Sequence, residues 1–317
     1  MLLRLPIFPI LAVLLAAFSP VSRATAAPNY GAAAYTIIDN ETGHILESVN
    51  GQKKRQVASL TKIATAVVVL DWSKANGKDL AETVVIPPEV SRIAGANPVG
   101  LTPGDFVSIR DLLYAALLQS DNAAAYTLAN HVGRSLKATT RKGPKDLSPV
   151  DTFVAQMNAL ARNLRMDRTL FLNPHGLDPS KGTLPFSTTD NFAYLARYAM
   201  SNKGFRFFVS QKEREITLIR DFQQIRYLLR NTNELVGANG IDGVKTGRTA
   251  AAGDCLILSA SRAPESRTEN GRTLITPRRI NVVLLDATDR FAVGRQLLAR
   301  GWALEEQWAA QGRRADR

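Results

Sequence analysis

Ala58-Ser59-Leu60-Thr61-Lys62-Ile63-Ala64-Thr65-Ala66-Val67-Val68-Val69-Leu70 is the stretch around which this chain is organised. Ile63, Val67 and Leu70 recur at helical spacing, and Ala64, Ala66 and Val68 fill the remaining sides. A helix apolar over most of its circumference belongs in the interior of a layered domain, not on its surface. This one begins near Ser59 and carries Lys62 at i+3, so the two share a face one turn apart. A serine hydroxyl is a poor nucleophile at neutral pH and needs a base. A lysine that is desolvated, or held beside a second cation, loses its proton readily enough to serve as one. A helix N-terminus at Ser59 also favours negative charge developing there.

Two further motifs follow in order, Ser120-Asp121-Asn122 and Lys245-Thr246-Gly247. Each is weak alone, and Ser48-Val49-Asn50 also fits the middle pattern but lies on the wrong side of Ser59. In this order the three supply a nucleophile, a base, a proton relay and a strand suited to a carboxylate. Lys245 is the natural second cation for Lys62. The three histidines offer no rival base: His44 follows a turn glycine, His131 lies near a helix end, and His175 sits in the turn-like Asn173-Pro174-His175-Gly176. No His-Glu-x-x-His motif and no pair of cysteines marks a metal site. Cys255, in Cys255-Leu256-Ile257-Leu258, reads as a small buried residue of a strand.

Around these motifs the chain divides into three parts. Ala33 to Asp39 and His44 to Ser48 form two strands joined by the turn Asn40-Glu41-Thr42-Gly43. From Ser59 to about Met200 the pattern is helical, with helices expected over 108–119, 123–132, 150–164 and 188–200. Ser120 to Asn122 falls on a tight connection, and Thr188 or Thr189 caps the last helix. Strands return at Glu215 to Arg220, Ile241 to Thr246, Cys255 to Ser261 and Arg279 to Asp286. The polar stretch Pro264 to Thr273 reads as a loose hairpin tip. A last helix runs from Asp289 to about Trp302. The expected fold class is α/β of the α+β kind: one antiparallel sheet built from both chain ends, a mostly helical inserted subdomain, and the active site in the seam between them.

At 45% hydrophobic residues, the 317-residue chain has enough apolar material for a full core. Lys+Arg 40 against Asp+Glu 28 gives a formal charge of +12, which suits an anionic neighbourhood such as cell wall, membrane surface or nucleic acid. Lys53-Lys54-Arg55 and the run from Arg134 to Lys145 read as solvated loops. Arg4, the apolar stretch Leu5 to Phe18 and the small residues Ala24-Thr25-Ala26-Ala27 make a secretory signal over residues 1–26. That stretch is short for a transmembrane helix, which needs about 20 residues.

The chain resembles the low-molecular-mass penicillin-binding proteins of the D-alanyl-D-alanine carboxypeptidase type. The resemblance is carried by the three motifs, by Phe171-Leu172-Asn173-Pro174-His175-Gly176-Leu177, by Asp242-Gly243-Val244 ahead of Lys245, and by Ala252-Gly253-Asp254-Cys255-Leu256. It spans roughly Ala33 to Trp302. It implies the serine β-lactamase/transpeptidase-like fold, with a catalytic domain over 27–304. Residues 305–317 are expected to be a short polar tail, with no amphipathic membrane anchor.

The implied roles follow position by position. Ser59 attacks the carbonyl between two D-alanines, and Lys62 takes its proton. Ser120 and Asn122 relay protons and contact the substrate. Lys245 adds positive charge, Thr246 binds the substrate carboxylate, and Gly247 completes the motif. The backbone N–H groups of Ser59 and Arg248 form the oxyanion hole. Arg290, shortly before Gln296-Leu297-Leu298, is a further candidate for the terminal carboxylate, since its fork suits both oxygens. Relatives often carry an aromatic residue or His where Arg248 stands, which bears on substrate preference. The implied partners are peptidoglycan stem peptides, with β-lactams as inhibitors, and no nucleic acid. No cofactor is implied. The implied location is periplasmic or cell-wall associated, with at most peripheral contact to membrane or wall.

Three other functions compete with a carboxypeptidase. An endopeptidase that cuts D-alanyl cross-links uses the same machinery. A β-lactamase of the familiar type adds a glutamate to activate water; no Glu-x-x-x-Asn pattern lies between Asn122 and Lys245. A non-catalytic binding module would not need all three motifs intact.

Overall fold

A computed structural model describes residues 29–139, 147–269 and 272–313. The signal segment expected over 1–26 lies outside the described residues. Nine strands and seven α-helices are described: β1 Ala32–Asp39, β2 Ile45–Val49, α1 Thr61–Asn76, β3 Thr83–Val85, β4 Phe106–Ser108, α2 Ile109–Leu118, α3 Asn122–Thr139, α4 Pro149–Asn163, α5 Thr189–Ser201, α6 Lys203–Val209, β5 Glu213–Arg220, β6 Gln223–Arg230, β7 Ile241–Thr249, β8 Gly253–Glu269, β9 Arg272–Ala287 and α7 Arg290–Ala310.

The main sheet has five antiparallel strands in the order β2-β1-β9-β8-β7. The two chain ends therefore meet in it, with Tyr35 opposite Leu284 and Ala34 opposite Leu285. From Ile280 to Leu285 β9 is buried on both faces, which is why this stretch reads as a nearly continuous hydrophobic run. Ile280, Val282 and Leu284 pack with Val293, Leu297 and Trp302 of α7. Val283 and Leu285 belong instead to the core shared with α1, α2 and α5. On α7, a Cβ at Gly294 would lie 2.9 Å from Leu256, and one at Gly301 would lie 2.8 Å from Ile37 and Ile280. These glycines let the helix lie close against the sheet.

α1 is buried on every side from Thr61 to Leu70, as its sequence requires. It ends where Gly77, at φ +60°, donates its N–H to Ser73 O. The Thr188 hydroxyl accepts from Asn191 N and caps α5 as expected.

The sequence reading needs five corrections. Residues 134–139, read as part of a solvated loop, extend α3. β5 does not join the main sheet. It lies in a second, four-stranded sheet of order β3-β4-β5-β6, because its inward residues Ile216 and Leu218 pack into the helical core. Asp221 and Phe222, both at positive φ, turn β5 into β6. Residues 264–269 and 272–273, read as part of a loose tip, are strand: β8 and β9 stay paired out to Glu269 opposite Arg272. Ser59 precedes α1 on a single 3₁₀ turn, Ala58–Leu60. Finally, α7 runs on past Trp302 to Ala310. Glu305 and Trp308 are buried there, and Glu305 pairs with Arg278 and Arg313. Residues 305–310 are therefore packed, not a polar tail.

Candidate active site

The 3₁₀ turn brings the first two expected residues together. Ser59 on this turn and Lys62 in the first turn of α1 share a face at i+3, and the Lys62 amine lies 2.9 Å from Ser59 Oγ. Lys62 is fully buried. Its Nζ also donates to Asn122 Oδ1 at 2.7 Å and to the His175 carbonyl at 2.8 Å. The Asn122 amide is oriented by its own Nδ2, which donates to Ala94 O at 3.1 Å. Burial, followed by the Lys245 charge, pushes the Lys62 pKa well below that of an ordinary lysine; Asp121 opposes this.

A neutral amine has two N–H donors and one lone pair. The Asn122 and His175 oxygens can only accept, so they take the two protons. The lone pair is left for Ser59, whose hydroxyl has a proton to give. At 2.9 Å this is general-base geometry.

Three walls hold the pair. The first is Asn173–Leu177. Asn173 Oδ1 accepts from Gly176 N at 2.7 Å, and Thr65 Oγ1 donates to Pro174 O at 2.6 Å. Gly176, at φ +85°, lies so close to the nucleophile's turn that a Cβ there would sit 1.9 Å from Ala58 O. His175 is buried, and burial pushes its pKa down to about 3, so its ring stays neutral. Its contribution to the site is its carbonyl.

The second wall is the turn between α2 and α3. Ser120 adopts a left-handed backbone at φ 63°, a conformation that costs a non-glycine residue on the order of 1 kcal/mol. Asp121 is fully buried and accepts from Ala124 N at 2.8 Å, which fixes the start of α3.

The third wall is β7. A Cβ on Gly247 would lie 3.2 Å from Ser59 N and 3.2 Å from Val57 O, so the glycine admits β7 against the nucleophile's turn. Lys245 is buried and its Nζ donates to Thr246 O at 3.0 Å. Burial, followed by the nearby Arg290 charge, brings its pKa down to about 7.

The structure thus gathers Ser59, Lys62, Asn122, Lys245, Thr246 and Gly247. The side chains of Ser120 and Arg290 make no direct hydrogen bond to the Ser59–Lys62 pair among the described residues; Asn122 makes the direct contact. Arg290 spends its fork within the protein, on Gly247 O at 2.8 Å and on Asp254 at 2.8 Å. The Arg248 side chain is 74% exposed, with Asp254 3.5 Å away. Sequence reasoning missed the His175 and Ala94 carbonyls, because a backbone oxygen leaves no residue-type signal. The described residues contain no cluster of His, Cys, Asp and Glu able to hold a metal ion.

A family model described as D-alanyl-D-alanine carboxypeptidase matches residues 21–269. The chain is 31% identical over 288 residues to D-alanyl-D-alanine carboxypeptidase DacC of Escherichia coli (strain K12), covering 88% of this chain and 63% of that protein. It is 27% identical over 299 residues to a D-alanyl-D-alanine endopeptidase of the same organism, covering 91% of this chain and 84% of that protein. Among solved structures it is similar to penicillin-binding protein D2 from Listeria monocytogenes in the ampicillin-bound form. That match has a TM-score of 0.65 at 28% identity and covers 86% of this chain and 97% of that one. With the motif residues assembled around one buried amine and the family model matched over most of its length, the chain belongs to the D-alanyl-D-alanine carboxypeptidase family.

Proposed function

We propose that this protein is a serine-type D-alanyl-D-alanine carboxypeptidase that removes the terminal D-alanine from peptidoglycan stem peptides. The observation that carries the reading is the buried Lys62 amine, whose two carbonyl partners leave its lone pair to Ser59. In this mechanism Lys62 takes the Ser59 proton as Oγ attacks the penultimate carbonyl. The N–H groups of Ser59 and Arg248 receive the oxyanion. The Lys62 ammonium returns this proton to the departing amine as the C–N bond breaks, with Asn122 Oδ1 holding the lysine in place. Water, deprotonated in turn by Lys62, releases the acyl group. Lys245 and Thr246 hold the substrate carboxylate. β-Lactams acylate the same serine, a reading supported by the ampicillin-bound Listeria relative. We further propose export to the periplasm or cell wall, on the strength of the charged, apolar and small-residue pattern over 4–27.

A second reading rests on the endopeptidase relative, to which the chain is 27% identical over 91% of its own length. Incubation of purified enzyme with cross-linked muropeptides separates the two. Free D-alanine supports the carboxypeptidase, and split dimers without it replace that reading by the endopeptidase. No product of either kind, with no penicillin adduct, overturns both.

A further inference from the structure

Thr232 lies outside the three motifs, yet it is built into the wall that carries Thr246. Its hydroxyl is 2.7 Å from Thr246 Oγ1. The same hydroxyl donates to Leu118 O at 3.0 Å, and Thr232 N donates to that carbonyl at 2.9 Å. Leu118 ends α2, just ahead of Ser120-Asp121-Asn122. The mount is rigid. Asn231 Nδ2 donates to Val209 O and Gln211 O, and its Oδ1 accepts from Asn233 N at 2.9 Å. Asn233 Nδ2 donates to Gly243 O on β7 at 3.0 Å. Two asparagine side chains thus fasten the backbone on either side of one hydroxyl aimed at the Lys245-Thr246-Gly247 strand.

The proton count gives this hydroxyl a task. Each threonine hydroxyl has one proton. While Thr232 donates to Leu118 O, the short contact requires Thr246 to donate to Thr232. Thr246 then offers an incoming carboxylate only lone pairs, which repel it. Reversal removes the conflict. If Thr232 turns its proton to Thr246, Thr246 can give its own to the carboxylate. Leu118 O loses nothing essential, because it keeps the Thr232 N–H. A hydroxyl that accepts one hydrogen bond donates the next more strongly.

We propose that Thr232 is a positioning residue, the second member of a two-hydroxyl relay that reverses when the substrate carboxylate arrives and thereby makes Thr246 a donor. The proposal rests on the carboxypeptidase reading.

The test compares native enzyme, T232V and T232S on a peptide ending in D-alanyl-D-alanine and on its amide-capped counterpart. Where turnover of the capped peptide is below detection, its inhibition constant is used. T232V leaves Thr246 its own proton but removes the hydrogen bond that orients it and strengthens it as a donor, so KM for the free-carboxylate peptide should rise about threefold, with kcat within about twofold. The capped peptide and the pH profile should stay unchanged. T232S, which keeps the hydroxyl, should restore the native KM. Equal losses on both peptides, or no rescue by serine, overturn the relay and leave Thr232 a packing residue. A T232V protein that fails to fold shifts the decision to T232S, whose KM must then match the native value for the relay to stand. Native enzyme that releases no D-alanine and takes no penicillin adduct removes the underlying function, and the relay with it.

Discussion

Replacing Lys245 by methionine should destroy activity and stabilise the protein, and the stabilisation should depend on pH. Lys245 is fully buried, with Thr246 O as its acceptor. Its pKa falls from an ordinary 10.5 to about 7. Between those values the folded state binds fewer protons than the unfolded chain, so stability rises with pH there. The penalty is complete below pH 7 and is relieved as pH climbs toward 10.5. At about 1.36 kcal/mol per unit, the buried amine costs the fold about 5 kcal/mol at pH 6 and about 2 kcal/mol at pH 9. Methionine fills similar space without a charge, so Lys245→Met removes this cost. Losses from packing and from the Thr246 hydrogen bond do not vary with pH and cancel in the comparison. Urea unfolding of native and variant protein at pH 6 and pH 9, extrapolated to water, should therefore give a stabilisation about 3 kcal/mol larger at the lower pH. The same stabilisation at both values, or a larger one at pH 9, would refute a depressed pKa at Lys245. Because the Lys245 charge also holds the Lys62 pKa down, any residual acylation in the variant should need a higher pH.

Intact-mass analysis after penicillin treatment should show one adduct on native protein and none on Ser59→Ala. Lys62→Arg should acylate several orders of magnitude more slowly, since a guanidinium cannot give up its proton; a rapidly acylated variant would remove Lys62 as the base. Arg290→Ala should lower kcat/KM on free and amide-capped peptides together, by roughly tenfold, because its fork holds Gly247 O and Asp254. It should also let the Lys245 pKa rise, which a shift of the alkaline limb of the pH–rate profile would report. A loss confined to the free-carboxylate peptide would return Arg290 to the substrate. Gly176→Ala should cost about 3 kcal/mol in denaturant unfolding, given φ +85° and a Cβ placed 1.9 Å from Ala58 O; a neutral result would mean the loop yields easily.

Much of this was legible before any coordinates. The all-round apolar pattern of 61–70 places α1 in the core, and the β-branched runs at both ends place β1 and β9 in one sheet. Ser59 and Lys62 were readable because an i+3 spacing fixes a shared face. The second sheet was not. β3 and β4 have three residues each, too few for alternation to register. β6 mixes glutamine and arginine with its apolar residues, since most of the strand faces solvent. The internal partners of Arg290, Gly247 O and Asp254, were not legible for a different reason. Residue type reveals that a guanidinium seeks an acceptor, but not whether the protein itself supplies one.

The pairing of β1 with β9 has a consequence in time. Lys245 sits on β7, which is held by β8, which is held by β9, which closes on β1. A chain emerging from its N-terminal side presents Ser59 and Lys62 early, but the strand that depresses the lysine's pKa and walls the cleft has no place to dock until β9 arrives. Contacts so distant in sequence form slowly. The chemistry is therefore gated by β9: a partial chain that lacks it carries no activated serine, and reactivity and the closed sheet appear together.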